Sequence, residues 1–183
     1  MEPQKDKNIS DVLRDAVRGG EKAFASIYEE YYSPIWKYLF FRVKSTGEAE
    51  DLAQTVFLKI FEAKNGQTDE ITKSYLFTVA RNVLIDYYRS ESHRSHEGED
   101  ALEGAMDTMA ISHDAIREKE ETDLVRKALA SLPDEQRETV TLSYIGGLSN
   151  AEIADILGKS EPAVRQIKSR GLKSLKAYIT KDI

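Results

Sequence analysis

The sequence has no cysteine. That excludes a disulfide framework, a thiolate zinc site and a cysteine nucleophile. It has only three histidines, His93, His96 and His113, all in a polar stretch with no apolar setting. They read as solvated, and no metal site is expected. Long hydrophobic runs are also missing: the longest apolar clusters fall far short of the ~20 residues a membrane span needs. The opening MEPQKDKNIS contains no apolar run of the kind a secretory signal carries. A soluble, cytoplasmic protein without membrane insertion is expected. Prolines number four, and no segment alternates apolar and polar residues as a strand would. HEXXH and P-loop patterns are absent. Carboxylates are abundant but none is paired with His or Ser in a catalytic arrangement, so they read as solvated faces and helix caps. No catalytic residue and no cofactor are expected.

What is present is unevenly spread. Over 183 residues the net charge is −6. Residues 1–89 hold 13 Lys/Arg against 14 Asp/Glu, residues 90–121 hold 3 against 10, and residues 122–183 hold 10 against 8. The acidity therefore sits in the middle. SESHRSHEGEDALEGAMDTMAISHDAIREKEE has few large apolar residues, a linker composition whose last stretch can join a helix. The expected organisation is all-α: a helical domain over 1–89, a flexible acidic linker over 90–121 and a second small helical domain over 122–183.

In the first domain Phe24, Ile27, Tyr28, Tyr31, Ile35, Tyr38, Leu39 and Val43 recur at helical spacing, with Pro34 marking a break or kink. A second helix is expected from about Glu48 to Ala63, with Leu52, Val56, Phe57, Ile60 and Phe61 as its apolar stripe. After a polar loop from Lys64 to Thr72, a third runs from about Lys73 to Arg89 and buries Leu76, Val79, Ala80, Val83 and Leu84. In the second domain helices are expected near Thr122–Ser131 and Pro133–Tyr144, with Gly146-Gly147 as a stop.

The segment LSNAEIADILGKSEPAVRQIKSRGLKSL, Leu148 to Leu175, reads as two short helices and a tight turn. Ser149 and Glu152 have capping-box spacing. Gly158 stands where a C-cap needs positive φ. Ser160 caps the next helix, and Pro162 falls in its first turn, where no N–H bond is lost. From Lys159 to Lys176 there are six cations and one anion. With Val164, Ile167, Leu172 and Leu175 packed inward, Arg165, Gln166, Ser169, Arg170 and Lys173 face outward. Arg and Gln suit guanine and adenine edges, and Ser and Lys suit phosphates. This is the pattern of a DNA-reading helix-turn-helix.

Two blocks then resemble an extracytoplasmic-function (ECF) RNA polymerase sigma factor of the sigma-70 family. AFASIYEEYYSPIWKYLFFRV, EAEDLAQTVFLKIFEAK and SYLFTVARNVLIDYYRS are similar to sigma region 2. ALASLPDEQRETVTLSYIGGLSNAEIADILGKSEPAVRQIKSRGLKSL is similar to region 4. The resemblance implies a protein that binds core RNA polymerase, at the β′ clamp and β flap, and directs initiation by recognising −10 and −35 elements of promoter DNA. It implies polymerase docking through Glu50, Asp51, Gln54, Thr55 and Lys59. It implies −10 contacts through Arg81, Asn82, Asp86, Tyr87, Tyr88 and Arg89, with Asn65 and Gln67 in the preceding loop. It assigns −35 contacts to Arg165, Gln166, Lys168, Ser169, Arg170 and Lys173. Tyr75, at a position often Trp in the family, is expected to pack. Gly171 stands where many members carry a bulkier residue, and either weakens its helix or permits a close backbone approach. An anti-sigma factor is an expected further partner.

Other classes fit less well. A one-component regulator with the same helix-turn-helix would add a ligand pocket or receiver domain, and the first block offers neither a Gly-rich phosphate loop nor an aspartate in a strand pattern. An adaptor that binds polymerase without reading DNA would not need the basic helix. The acidic connector, with an r.m.s. span of about 30 Å, leaves the two readers free to move independently.

Overall fold

The structure, a computed structural model, describes residues 21–63, 71–96 and 113–181. Among them there is no strand. The helices are α1 (Glu21–Phe40), α2 (Thr46–Ala63), α3 (Lys73–His96), α4 (His113–Ala130), α5 (Asp134–Val140), α6 (Asn150–Leu157) and α7 (Glu161–Lys181). A π-helical segment, Thr141–Ile145, joins α5 to the turn before α6.

α1, α2 and α3 form the first half of the molecule. Ile27, Tyr31, Ile35, Tyr38 and Leu39 of α1 meet Ala49, Ala53, Val56, Phe57 and Ile60 of α2 and Leu76, Phe77, Ala80, Val83 and Leu84 of α3. Each large side chain buried here contributes about 1.5–3 kcal/mol. α1 continues through Pro34 rather than breaking there. The proline removes one backbone hydrogen bond. Buried residues on both sides, Tyr31 and Ile35, hold the helix together by packing.

The start of α2 is fixed by a capping box. Glu48 N–H donates to Ser45 Oγ at 3.2 Å, and Glu48 Oε2 accepts from Ser45 N–H at 2.8 Å. The motif Ser-x-x-Glu was there to be read at positions 45–48.

The second half is built as its caps require. Ser149 and Glu152 form both bonds of a capping box on α6. Gly158 ends α6 in the left-handed region, φ 62°. Ser160 Oγ accepts from Ala163 N–H at 3.3 Å at the start of α7. α7 turns inward along Val164, Lys168, Gly171 and Leu175, of which Val164 and Gly171 are buried. A Cβ on Gly171 would stand 2.8 Å from Val140 Cγ2, so the glycine permits the close crossing of α5 and α7. Leu172, expected to pack inward, is exposed instead, because the stripe passes through position 171.

The two halves are docked. Leu142, Leu148, Ile153, Ile156 and Val164 share one buried cluster with the first half. Arg126 of α4 donates to the carbonyls of Phe40 and Lys44, both at 3.1 Å, and lies 4.3 Å over the Phe40 ring. Lys73 Nζ donates to Gly147 O at 2.6 Å. The two halves are thus in direct contact in this structure. α3 and α4 also extend into the 90–121 segment from either side, and residues 97–112 lie outside the described residues.

Candidate nucleic-acid interface

α7 presents the outward face that its sequence predicts. Arg165, Gln166, Ser169, Arg170 and Lys173 are all exposed. Arg165 pairs with Glu161 at 3.2 Å, one helical turn earlier. An exposed pair of this kind is worth about 0.3–0.5 kcal/mol, so the guanidinium is readily given up to a stronger acceptor. Lys168 is placed differently. It is half-buried, and its Nζ donates to Asn150 Oδ1 at 2.5 Å and Ser143 Oγ at 3.4 Å, tying α7 to the rest of the helix-turn-helix.

The six residues assigned on α3 fall into two groups. Asn82, Asp86 and Arg89 share an exposed edge, and Asp86 lies 3.7 Å from Arg89 and 3.7 Å from Lys59 of α2. Arg81, Tyr87 and Tyr88 have internal partners. Tyr87 donates to Glu48 Oε1 at 2.6 Å, and Tyr88 donates to the Arg42 carbonyl. Burial would raise the Glu48 pKa, but hydrogen bonds from Tyr87, Ser45 and the Lys44 backbone hold it below the usual carboxylate range. The Tyr87 hydroxyl is pushed above the ordinary tyrosine value, first by burial and then by Glu48. Tyr75 is half-buried and packs against the main core. Asn65 and Gln67 lie outside the described residues.

Arg81 points at the other half of the molecule. Its Nε lies 3.8 Å from Glu138 Oε1 of α5. The same carboxylate accepts from Tyr38 Oη at 2.7 Å and from Arg42, whose guanidinium forms a buried ion pair with it. Burial, then the Glu138 charge, raises the Tyr38 pKa well above that of a free tyrosine, so it remains a donor. Burial opposes the Arg42 charge, but Glu138, followed by Tyr38 and Tyr88, makes the guanidinium more firmly protonated than usual. Beside this cluster is a cavity of about 700 Å³ whose wall includes Arg42, Arg81, Tyr88, Arg137 and Lys159.

On α2, Glu50, Asp51, Gln54, Thr55 and Lys59 are all exposed and form one polar face. Leu58 stands among them with 58% of its surface exposed. Sequence reasoning passed over Leu58. The three-to-four-residue spacing of positions 51, 54, 55, 58 and 62 was the signal that placed it on the outer face. An apolar residue ringed by polar ones is the usual make-up of a docking patch.

The Sigma-70 region 2 family matches residues 27–94, and the Sigma-70, region 4 family matches residues 122–175. Together they span about two thirds of the chain. The ECF RNA polymerase sigma factor BldN of Streptomyces coelicolor is 27% identical over 176 residues, covering 95% of this chain and 67% of BldN. The ECF RNA polymerase sigma factor SigX of Bacillus subtilis is 28% identical, covering 87% of this chain and 84% of SigX. Among solved structures, CnrH in complex with the cytosolic domain of CnrY superposes with a TM-score of 0.72 at 21% identity, covering 94% of this chain and 97% of the other. The sigma factor RpoE of Bartonella quintana, in complex with the anti-sigma factor NepR, superposes with a TM-score of 0.66 at 20% identity, covering 88% and 99%. These two likenesses show the fold.

Proposed function

The chain belongs to the sigma-70 family, as an ECF RNA polymerase sigma factor, and from that premise we propose how its residues divide promoter-specific initiation between polymerase and DNA. The observation that carries the division is the separation of exposed faces. The basic outer face of α7 lies on the second half, and the polar face of α2, with Leu58 at its centre, lies on the first.

The α7 face reads the −35 element as duplex. Arg165, Gln166, Ser169 and Arg170 are the base and phosphate contacts, with Lys173 on the backbone and Lys168 bracing the helix. The α3 face reads the −10 element. Opened strands offer bases that side chains hold by stacking and edge contacts, and Asn82, Arg89, Tyr87, Tyr88, Asp86 and Arg81 supply both kinds. Asn65 and Gln67 belong to the loop assigned to an extruded base. The α2 face, through Glu50, Asp51, Gln54, Thr55 and Lys59, docks on the polymerase β′ clamp, and the second half meets the β flap. No step of catalysis is assigned to the chain. Work on polymerase places it in the cytoplasm; no described helix is long and apolar enough to cross a membrane. An anti-sigma factor is proposed as its regulator, by analogy with the RpoE–NepR complex.

The test is reconstitution with core polymerase and run-off transcription over genomic fragments. Discrete, start-site-specific transcripts that depend on this protein are expected. Co-purification with core without any promoter-dependent transcript would reduce the reading to a polymerase-binding adaptor.

A further inference from the structure

We propose that Lys168 is a positioning residue of the −35 reader: bonded to Asn150 and Ser143, it sets the angle at which α7 meets the duplex, and so governs base discrimination without touching DNA. This role rests on the assignment of α7 to the −35 element. Lys168 Nζ gathers three elements. It donates to Asn150 Oδ1, at the first position of α6, at 2.5 Å, and to Ser143 Oγ, in the π-helical segment, at 3.4 Å. All three residues are half-buried. Helical periodicity puts Lys168 on the side of α7 that carries Val164, Gly171 and Leu175. That side is about a third of a turn from the centre of the face that carries Arg165, Gln166, Ser169, Arg170 and Lys173.

Stability gives no reason for a lysine here. Both acceptors are neutral oxygens. The ammonium stands at the N-terminus of α6, the positive end of that helix's dipole, where a cation is disfavoured. Shielding a charge from water also costs more than shielding an apolar chain of the same length. What the lysine adds is direction. Val164 and the close crossing at Gly171 fix how deeply α7 packs. Apolar contacts are non-directional, so they leave its tilt and rotation loosely set. Hydrogen bonds are directional, and these two end on α6 and on the segment before it. They hold α7 at one orientation against the rest of the helix-turn-helix. Paired contacts to base edges need that orientation; contacts to phosphate tolerate its loss. A lysine at this place has one competing role, a phosphate contact beside the α6 N-terminus, and salt separates the two.

Holoenzyme is reconstituted from core polymerase and each variant. Its affinity is measured for a promoter duplex found by run-off transcription and for the same duplex with the −35 element scrambled. Lys168→Met keeps the length of the side chain and removes the clasp. Asn150→Ala weakens the clasp and keeps the charge. Each should lower the cognate-to-scrambled ratio about tenfold, as loss of one base-specific contact does. The double variant should lose no more than Lys168→Met alone. The slope of log affinity against log salt should be unchanged in Lys168→Met, whereas Lys173→Gln should reduce it by about 1. In the free protein, brief acetylation read by mass spectrometry should modify Lys168 more slowly than the exposed Lys173 and Lys176, and Asn150→Ala should narrow that difference. If Lys168→Met loses helical circular dichroism, Asn150→Ala carries the ratio measurement. An unchanged ratio in a helical variant overturns the proposal. So does a slope reduced by about 1 in Lys168→Met, which would make the lysine a phosphate contact, or a Lys168 as reactive as Lys173 in the unaltered protein. An unaltered holoenzyme that binds both duplexes alike would instead overturn the −35 assignment, and the role of Lys168 with it.

Discussion

The Tyr38 hydroxyl donates to Glu138 at 2.7 Å, joining residues one hundred positions apart across the contact between the two halves. The tyrosine is wholly buried and the glutamate nearly so. The tyrosine hydroxyl has no water to fall back on. Tyr38→Phe should therefore destabilise the protein by about 1.5–3 kcal/mol, the range for a hydrogen bond to a charged group. The midpoint of urea unfolding, followed by circular dichroism, checks it. An unchanged midpoint would mean the bond is not maintained in solution.

Gly171→Ala should also destabilise, against the helix-propensity gain of about 1 kcal/mol that alanine normally brings. The new methyl would meet Val140 Cγ2 at 2.8 Å and Gln136 Cβ at 3.4 Å. Overpacking of this kind costs about 1–3 kcal/mol, so the net effect is a loss. Thermal unfolding of Gly171→Ala and of Gly171→Ala with Val140→Ala separates the causes. The clash component should be relieved in the double variant, giving a less-than-additive loss.

Glu48 gives the fold a defined acid sensitivity. Its folded pKa is lowered, so its contribution is fully present above the unfolded carboxylate value of about 4.3 and is lost as pH falls through the folded one. Glu48→Gln should lower stability at pH 7 and show a smaller further loss between pH 5 and pH 3 than the unaltered protein. Urea midpoints across that range supply the comparison; parallel curves would remove Glu48 as a source of the slope.

Arg165→Ala and Arg170→Ala should impair transcription from the cognate promoter while leaving core-polymerase binding intact. A lost base-specific pair costs about 1–3 kcal/mol, whereas a lost phosphate contact weakens every sequence alike. Transcription and core affinity are measured separately. Full activity in both variants would take these arginines out of the reader.

Charge reversal on α2, Asp51→Lys with Gln54→Glu, should lower core binding without loss of helix. Both side chains are exposed, so they set docking register rather than stability. Circular dichroism should be unchanged while co-purification with core falls. Wild-type affinity would move the docking face elsewhere.

The helix-turn-helix was legible because its signals are local. Ser149, Glu152, Gly158 and Ser160 each act within four residues, and each takes the role its type and position specify. Most of the apolar stripes of α2 and α3 were legible for the same reason: Val56, Phe57, Ile60, Leu76, Ala80, Val83 and Leu84 are buried, but Phe61 is exposed and Leu52 and Val79 are half-buried. The docking of the two halves was not. Glu138 sits in the run DEQRETV, where a carboxylate reads as a solvated helix face, and only tertiary contact buries it. Lys168 looked like one more cation of a basic helix, yet the inward stripe through Val164, Gly171 and Leu175 carries it toward Asn150. Leu172 failed by one residue, because a glycine took the contact that periodicity alone gave to its larger neighbour.

The convergence on Glu138 also orders events on the ribosome. Glu138 follows Arg81 by 57 residues and Arg42 by 96. At translation speeds of about 5–20 residues per second, Arg81 waits roughly 3–11 s for its carboxylate to be made. Until then neither arginine can be paired with it. Burial of the Arg42 charge against Glu138 is therefore completed only after α5 has been made.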